Sequence, residues 1–242
     1  MKKIAFFLAF VAVSAVSLHA QAVPNVDTVI AKYVKTIGGA DKWKAIESIK
    51  QTGFVVVQGM NIPFTAIQAR PNLSYSEGEF QGNKFIDAYD GTVAWTQNPF
   101  AGAAKPTKKD EDATKEAAKE QFEDELIDCK AKGHTVEIAP ATEDKEGTKC
   151  FKITMKRKQG DEKVFYIDAE NYVTVSVTSY VASGEMKGKA VETVMSDYKS
   201  VDGVMVPHTI EQKMDGQTGM TIKADKVELN SKIDKAIFSL PK

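Results

Sequence analysis

The sequence predicts a mainly β fold of the α+β class, in which one long, curved antiparallel sheet is capped by α-helices. Three observations predict it. Turn residues such as Gly59, Gly82 and Asp90-Gly91 separate short runs rich in Val, Phe, Tyr, Thr and Ile, at the spacing of antiparallel hairpins. The same pattern resumes after Gly133 and continues towards the C terminus. Helical patterns are confined to the N-terminal region and to residues 110–130.

A pair of helices is expected before the first strand. Asn25 can cap a helix whose apolar residues recur at the i, i+3, i+4 spacing, and Gly38-Gly39 ends that helix. A second short helix is expected over residues 41–46, with Trp43 and Ile46 on one side. Four or five consecutive strands then follow from a first strand near residues 51–58.

Residues 110–130 form the strongest helical pattern, because Ala, Glu, Lys and Asp dominate them. The apolar residues of this expected helix form one narrow stripe of Ala118, Phe122, Leu126 and Cys129. Such a helix can cover a surface but cannot be buried on all sides. Seven further strands are expected at 134–138, 148–157, 163–168, 172–181, 190–198, 204–214 and 220–229, for a total of about 11–12.

A sheet of this size must curl to bury one face, and the helices then cap its concave side. No Pro/Gly/Ser linker interrupts the strand pattern, so residues 23–242 are expected to form one domain.

Residues 1–22 have the pattern of a secretory signal peptide. A basic start at Lys2-Lys3 precedes an apolar run, and small residues at Ala20-Gln21-Ala22 offer a cleavage site. The apolar run is shorter than the roughly 20 residues that a membrane-spanning helix needs. The mature protein is therefore expected to be soluble and periplasmic, and not membrane-integral.

Charge argues against nucleic acid as a partner. The leader contains two lysines and no acidic residue, so its removal changes the formal charge from −1 to −3. Lys residues alternate with Asp and Glu over residues 105–132 and do not cluster as polyanion binding requires.

No motif for catalysis or metal binding is present. His134 and His208 lie far apart and lack neighbours at metal-ligand spacing, and H-E-x-x-H, C-x-x-C and G-x-S-x-G are absent. Residues 184–189 only superficially resemble a phosphate-binding loop and are typical of a hairpin turn. We therefore expect no cofactor, no metal and no enzymatic activity.

Two alternatives are open for the cysteines. Cys129 and Cys150 are the only ones, and an oxidising compartment permits a disulfide between them. The alternative is a pair of buried thiols, since the sequence does not supply the Cα separation that a disulfide requires.

The first hairpins are rich in large apolar residues, which are either core or the lining of a cavity for acyl chains. The candidates for a ligand-binding lining are Phe54, Val56, Phe64, Leu73, Tyr75, Trp95 and Phe100. Phe122 and Leu126 would face this lining from the helix over residues 110–130.

Two blocks of sequence carry a family resemblance. Arg70-Pro71-Asn72-Leu73, followed by residues 90–100 (DGTVAWTQNPF), resembles the periplasmic lipoprotein carrier family LolA over roughly residues 50–100. The resemblance implies an unclosed β-barrel with helical lids that shields acyl chains of a lipoprotein or a related lipid from water. It implies transport partners at the inner and outer membranes, and it implies that Arg70 latches the lid to the barrel and is needed for release. A lipid-sensing regulator that binds an anti-sigma factor and a ligand-free structural β protein are the alternatives.

Overall fold

The computed structural model describes residues 23–182 and 184–241, so the expected signal peptide over residues 1–22 lies outside the described part. The described helices are α1 (Val26–Thr36), α2 (Ala40–Lys44) and α3 (Glu111–Lys119), with 3-10 turns at Pro99–Ala101 and Lys235–Phe238. The first group of strands is β1 (Ser48–Val57), β2 (Met60–Ala69), β3 (Leu73–Phe80), β4 (Asn83–Tyr89), β5 (Ala94–Asn98) and β6 (Ala103–Lys108). The second group is β7 (Thr135–Ile138), β8 (Glu143–Lys145), β9 (Thr148–Lys156), β10 (Glu162–Asp168), β11 (Thr174–Tyr180), β12 (Ala190–Val201), β13 (Val204–Met214) and β14 (Gln217–Leu229).

All these strands belong to one antiparallel sheet, which confirms the predicted fold class. Its order is β6-β5-β4-β3-β2-β1-β14-β13-β12-β11-β10-β9-β7, and β8 pairs with β9 outside this path. The terminal strands β6 and β7 do not pair with each other, so the curved sheet stays open. The described sheet has 14 strands, more than the expected 11–12, because β6 and β8 are short and lack a clear alternating pattern.

One prediction about the helices is wrong. The helix expected over residues 110–130 ends at Lys119, and Glu120 is already extended (φ −67°, ψ 144°). Phe122 and Leu126 therefore lie in a turn-rich segment, residues 120–133, instead of on a lid helix, although both are buried in the core. Tertiary packing overrides helix propensity in this segment, because its apolar side chains are buried together with α1 and the sheet.

The face of the sheet that contacts the helices, called the covered face here, carries the main core. Val29 and Tyr33 of α1 and Trp43 of α2 pack there against β9, β10, β13 and β14. Two hydrogen bonds fix the end of α1, because the Ile37 carbonyl accepts from Trp43 Nε1 and from the Met205 amide, both at 3.0 Å. The first two helices are thus firmly packed onto one half of the sheet.

The opposite face, called the outer face, has its own smaller core under the C-terminal 3-10 turn. Phe238 is 1% exposed and packs with Ile67 and Ala69 of β2. The indole Nε1 of Trp95 donates to the Phe238 carbonyl at 2.7 Å. The buried donor and acceptor satisfy each other, and this hydrogen bond attaches the C-terminal segment to β5.

Cys129 and Cys150 are free, buried thiols in the structure and do not form the disulfide that the sequence permitted. Cys129 belongs to the main core of the covered face, together with Phe151 and Ile153 of β9. Cys150 precedes Phe151, and successive side chains of a strand point to opposite faces. The two thiols therefore lie on opposite sides of the sheet.

Candidate ligand cavity and its helical cover

A cavity of about 360 Å³ lies between α3 and the covered face of strands β1–β5. Its lining combines residues of the sheet, of α3 and of β13: Ile49, Gln51, Ala66, Gln68, Ser74, Ser76, Asp87, Tyr89, Ala94, Lys109, Ala113, Ala117 and Ile210, with Ile67, Tyr75 and Ala88 also bordering it. Its volume is within the usual range of sites for small molecules.

The amino-acid composition of α3 explains why this half of the sheet is not filled. The helix presents Ala113 and Ala117 to the sheet, and none of its residues is buried. Asp110 caps its start, where the carboxylate accepts from the Ala113 amide at 2.7 Å. Small side chains hold the helix above the sheet without occupying the space beneath it, whereas α1 and α2 fill the other half.

Two successive rows of cross-strand partners, called the polar rows here, form the floor under α3. Gln68 and Ser74 are partners in the first row, and Ser76 and Asp87 are partners in the second, which also contains Gln51. Asp87 forms an ion pair with Lys109, and the Ser76 hydroxyl donates to the Asp87 carbonyl at 3.4 Å. The floor is therefore mixed, because these polar side chains share their rows with Ile49, Ala66, Tyr89 and Ala94, whereas a sheet covered by a helix is usually apolar throughout on that face.

The next rows towards the β1–β2 turn, called the apolar rows here, are hydrophobic. Phe64 pairs with Gly78, which pairs with Phe85. The Phe85 ring packs over Gly78, where a Cβ would come within 2.4 Å of it, so a larger residue at this position would force the ring to move. The neighbouring row contains the partners Ile62, Val55, Ile222 and Ile210, and Ile210 also lines the cavity.

The structure separates the residues that the sequence suggested as one lining. Phe64 lies on the covered face, in line with the cavity. Five others have side chains on the outer face: Phe54, Val56, Leu73, Tyr75 and Trp95. Tyr75 borders the cavity, but its hydroxyl donates to Glu77 on the outer face at 2.8 Å. Strand alternation is the signal that distinguishes the two groups.

Phe100, the last member of that set, lies in the 3-10 turn at Pro99–Ala101 and is 59% exposed. Its ring centroid is 6.1 Å from that of Phe80. Phe80 follows Gly78 by two residues on β3, so Phe100 lies beside the apolar rows and outside the cavity itself.

Arg70 joins the end of β2 to the turns after α2 and α3. Its Nε donates to the Ile46 carbonyl at 2.7 Å, and its Nη2 donates to the Trp43 carbonyl at 3.0 Å. Nη2 also contacts Glu123 Oε1 at 2.8 Å, and the guanidinium lies 4.9 Å from the centre of the Phe122 ring. The planar arrangement of guanidinium donors suits this set of acceptors.

Asn72 belongs to the Arg70-Pro71-Asn72-Leu73 block, although the sequence predicted no role for it, and it makes the matching contact to α3. Its Nδ2 donates to the carbonyls of Ala117 and Ala118 at 3.4 and 3.3 Å. These carbonyls lie at the C-terminal end of α3, where that of Ala117 also accepts from the Glu120 amide at 3.3 Å. The Arg-Pro-Asn motif was the available signal, because it places both donors at the end of one strand.

Glu123 is held in its charged form. Burial raises the pKa of this carboxyl, but the hydrogen bonds and charges of Arg70 and Lys132 outweigh that effect and hold the pKa below 4.5. Lys132 Nζ lies 3.1 Å from Glu123 Oε2, so each carboxylate oxygen has its own cation.

A second buried contact fixes the segment after α3. The Tyr33 hydroxyl donates to Asp124 Oδ2 at 2.5 Å and accepts from Thr174 Oγ1 at 3.2 Å. Burial raises the pKa of Asp124, and the hydrogen bond from Tyr33 opposes that shift. Burial, followed by the charge of Asp124, also raises the pKa of Tyr33. The segment at residues 120–133 is thus attached to α1 and β11, whereas α3 itself is held more loosely.

The described residues contain no cluster of three or more His, Cys, Asp or Glu side chains that could hold a metal ion. His134 instead accepts from the Lys158 amide through Nδ1 at 3.0 Å, and burial lowers its pKa. Within the same part of the chain, no helix is long and apolar enough to cross a membrane.

Comparisons with known proteins agree with this geometry. No family model and no curated protein matches the chain. Among solved structures, it is similar to a putative outer membrane lipoprotein-sorting protein domain from Vibrio parahaemolyticus, with a TM-score of 0.51 and 10% identity over 87% of this chain and 94% of that one. It is also similar to a LolA superfamily protein from Nitrosomonas europaea, with a TM-score of 0.56 and 10% identity over 90% of this chain and 98% of that one. The chain therefore shares the fold of these two structures, an open antiparallel sheet with helices on its covered face.

Proposed function

We propose that the protein is a periplasmic carrier that binds the acyl chains of a lipoprotein, or of a related lipid, and delivers them towards the outer membrane. The observation that carries the proposal is the cavity between α3 and the sheet, which lies beside the apolar rows of the covered face. A carrier needs such a space, whereas a structural β protein would fill it with side chains.

Burial of hydrocarbon supplies the affinity. Each methylene group removed from water contributes about 0.8 kcal/mol, so an acyl chain needs only partial burial to bind usefully. Phe64 and Phe85 in the row beside the cavity, and Ile210 at its edge, offer hydrophobic surface for the chain. No cofactor or metal is required for this task, and membrane-bound partners would supply the energy for loading.

The proposed cover is α3, because it is the described helix with the fewest buried contacts. The α2 helix carries the buried Trp43 and is part of the core, whereas α3 contacts mainly β4 and β5 and the amide of Asn72. We propose that α3 moves to admit the acyl chain. Arg70 would hold the neighbouring turns in place and so set how easily the cover opens and releases its ligand.

The first test is native mass spectrometry of the mature protein purified from a periplasmic extract, followed by lipid analysis of any bound material. We expect a stoichiometric lipid or acylated peptide. A ligand-free mass, together with failure to bind a fluorescent fatty-acyl probe, would contradict the carrier function.

A matched pair of variants locates the ligand. Ala117→Trp places a large side chain in the cavity, whereas Ala118→Trp places the same side chain on the exposed side of α3. Both have the same effect on helix propensity, so the difference between them reports on the cavity alone. We expect loss of acyl-probe binding for Ala117→Trp and nearly unchanged binding for Ala118→Trp. Equal affinities would show that the ligand binds elsewhere.

A further inference from the structure

We infer that the cavity recognises more than hydrocarbon, and that the polar rows bind the uncharged hydrogen-bonding group that joins an acyl chain to its headgroup, such as an ester, an amide or a hydroxyl. The inference rests on the proposed carrier function and narrows the class of ligand. An exclusively acyl-binding site has no use for Gln51, Gln68 and the serines of β3 on its floor.

The hydrogen-bonding capacity of the polar rows is largely unused within the described residues. Ser76 donates to a neighbouring carbonyl, but the side chains of Gln51, Gln68 and Ser74 have no hydrogen-bond partner in the described protein. Gln68 and Ser76 are exposed, so the floor is open to solvent and water can hydrogen-bond to these groups when no ligand is bound. A purely apolar ligand would displace that water without replacing its hydrogen bonds, which costs free energy.

The charge of the floor selects against an ionised group. Asp87 and Lys109 are the charged residues of the lining, and they form an ion pair with each other. An anionic or cationic headgroup would have to compete with this pair. A glutamine side chain, in contrast, both donates and accepts, so it matches a neutral carbonyl or hydroxyl.

The order of the rows gives the direction of the bound molecule. The polar rows lie under α3, and the row with Phe64 and Phe85 is the next one towards the β1–β2 turn. Successive rows on one face are two residues apart, which is roughly 7 Å. The polar group would therefore lie beneath Ala113 and Ala117, and the acyl chain would extend towards the aromatic residues.

Displacement of a fluorescent fatty-acyl probe from the full mature protein tests the inference with three competitors of equal chain length. These are a monoacylglycerol, an N-acyl amino-acid amide and the free fatty acid at pH 8, where it is charged. We expect at least one neutral competitor to bind more tightly than the fatty acid by about fivefold for each hydrogen bond formed. Preference for the glycerol compound would indicate a glycerolipid, and preference for the amide would indicate the acylated N terminus of a lipoprotein.

The variants Gln51→Leu and Gln68→Leu preserve side-chain size and remove the hydrogen-bonding groups. We expect each variant to bind the preferred neutral competitor about fivefold more weakly than the wild-type protein does, and to bind the fatty acid with nearly unchanged affinity. Phe64→Ala is the control for contacts with the acyl chain, and it should lower the affinity for all three competitors equally. Ser74→Ala provides a smaller change on the same floor if a leucine variant does not fold.

The outcomes separate the two proposals. If the wild-type protein binds acyl probes but does not distinguish neutral from charged competitors, or if the glutamine variants retain its preference, the polar-group inference is wrong and the carrier function stands. If no acyl compound binds, both are wrong.

Discussion

Replacement of Arg70 by leucine should loosen the connection between β2 and the turns that follow α2 and α3. The change removes hydrogen bonds to the carbonyls of Ile46 and Trp43 and the ion pair with Glu123. Hydrogen bonds to charged groups contribute about 1.5–3 kcal/mol each, but they are not additive. The Arg70 side chain is 25% exposed and Glu123 retains Lys132, so we expect a total loss of about 2–4 kcal/mol.

Hydrogen exchange measured by mass spectrometry gives the most direct readout. A local loss of about 3 kcal/mol corresponds to a roughly 100-fold decrease in the protection of amides that open in this region. The decrease should be confined to peptides from α2 and from residues 120–127, whereas strands β9 and β10 should keep their protection. The same variant should exchange a bound acyl probe faster, because the turns beside the cover open more often.

Two variants control this experiment. Lys44→Met removes an exposed ion pair between α2 and Asp128 and should leave protection unchanged, since such pairs contribute little. Arg70→Lys keeps the charge but loses the planar fork, so it should restore contact with Glu123 and not the two carbonyl bonds. Wild-type protection in Arg70→Leu, or equal effects in Arg70→Leu and Lys44→Met, would refute the proposed latch.

The stabilising effect of Arg70 should also depend on pH. The pKa of Glu123 is below 4.5 in the folded protein, so its stabilisation is complete at neutral pH and is lost as the pH falls through that lower pKa. The difference in unfolding free energy between wild type and Arg70→Leu should thus be constant near pH 7 and decrease below about pH 4.5. Urea titrations at several pH values measure it, and a difference that grows on acidification would contradict the assignment.

Three further predictions concern the cover, the outer face and the cysteines. Asn72→Ala should destabilise α3 by about 1 kcal/mol and increase exchange there without affecting α2, because it removes only the contacts to the end of α3. Trp95→Phe should lower the unfolding free energy by about 1–3 kcal/mol through the unpaired Phe238 carbonyl, and acyl affinity should not change because Trp95 lies on the outer face. The intact mass should show two free thiols at Cys129 and Cys150. Both should be alkylated only after unfolding, because both are buried and burial raises the pKa of Cys150 to about 11. A mass lower by two hydrogens would indicate a disulfide.

The sheet could be predicted from sequence because its turns are specified locally. Asp202-Gly203 and Asp215-Gly216 each place two residues at positive φ, as two-residue hairpins of the Asp-Gly type require. Such pairs fix where strands begin and end without reference to the rest of the chain. Successive hairpins give the order within β1–β6 and within β9–β14, whereas the pairing of β1 with β14, which joins the two halves, is a long-range contact without a local signal.

The end of α3 could not be predicted in the same way, because it depends on distant partners. Residues 120–130 have helical composition, yet Tyr33 binds Asp124 across 91 positions of sequence, and Arg70 binds Glu123 across 53. Leu126 and Ile127 are both fully buried, and the chain must turn to place such neighbours in one core. Local propensity is too weak to oppose this packing.

The lining of the cavity was misjudged because both faces of β1–β5 carry large apolar residues. The outer face is apolar because Phe238 covers it, and Phe238 lies 143 positions from its partner Trp95. Periodicity alone assigns residues to two faces but does not say which face meets the helices. The polar rows were missed for the same reason, since glutamine and serine on a strand are usually taken for the solvent side.

The two sequence blocks that resemble the carrier family have different structural roles. Arg70 donates to carbonyls at and after the end of α2, and Asn72 donates to carbonyls at the end of α3, so the first block contacts the proposed cover and its neighbouring turns. Asp90 accepts from the amides of Thr92 and Val93, and Trp95 binds the C-terminal segment, so the second block shapes a turn and stabilises the outer face. Because the side chains of Arg70 and Asn72 bind the elements above the cavity, substitutions of these two residues should change ligand exchange. Substitution of Trp95 in the second block should change global stability and leave exchange rates intact, because its side chain lies on the outer face.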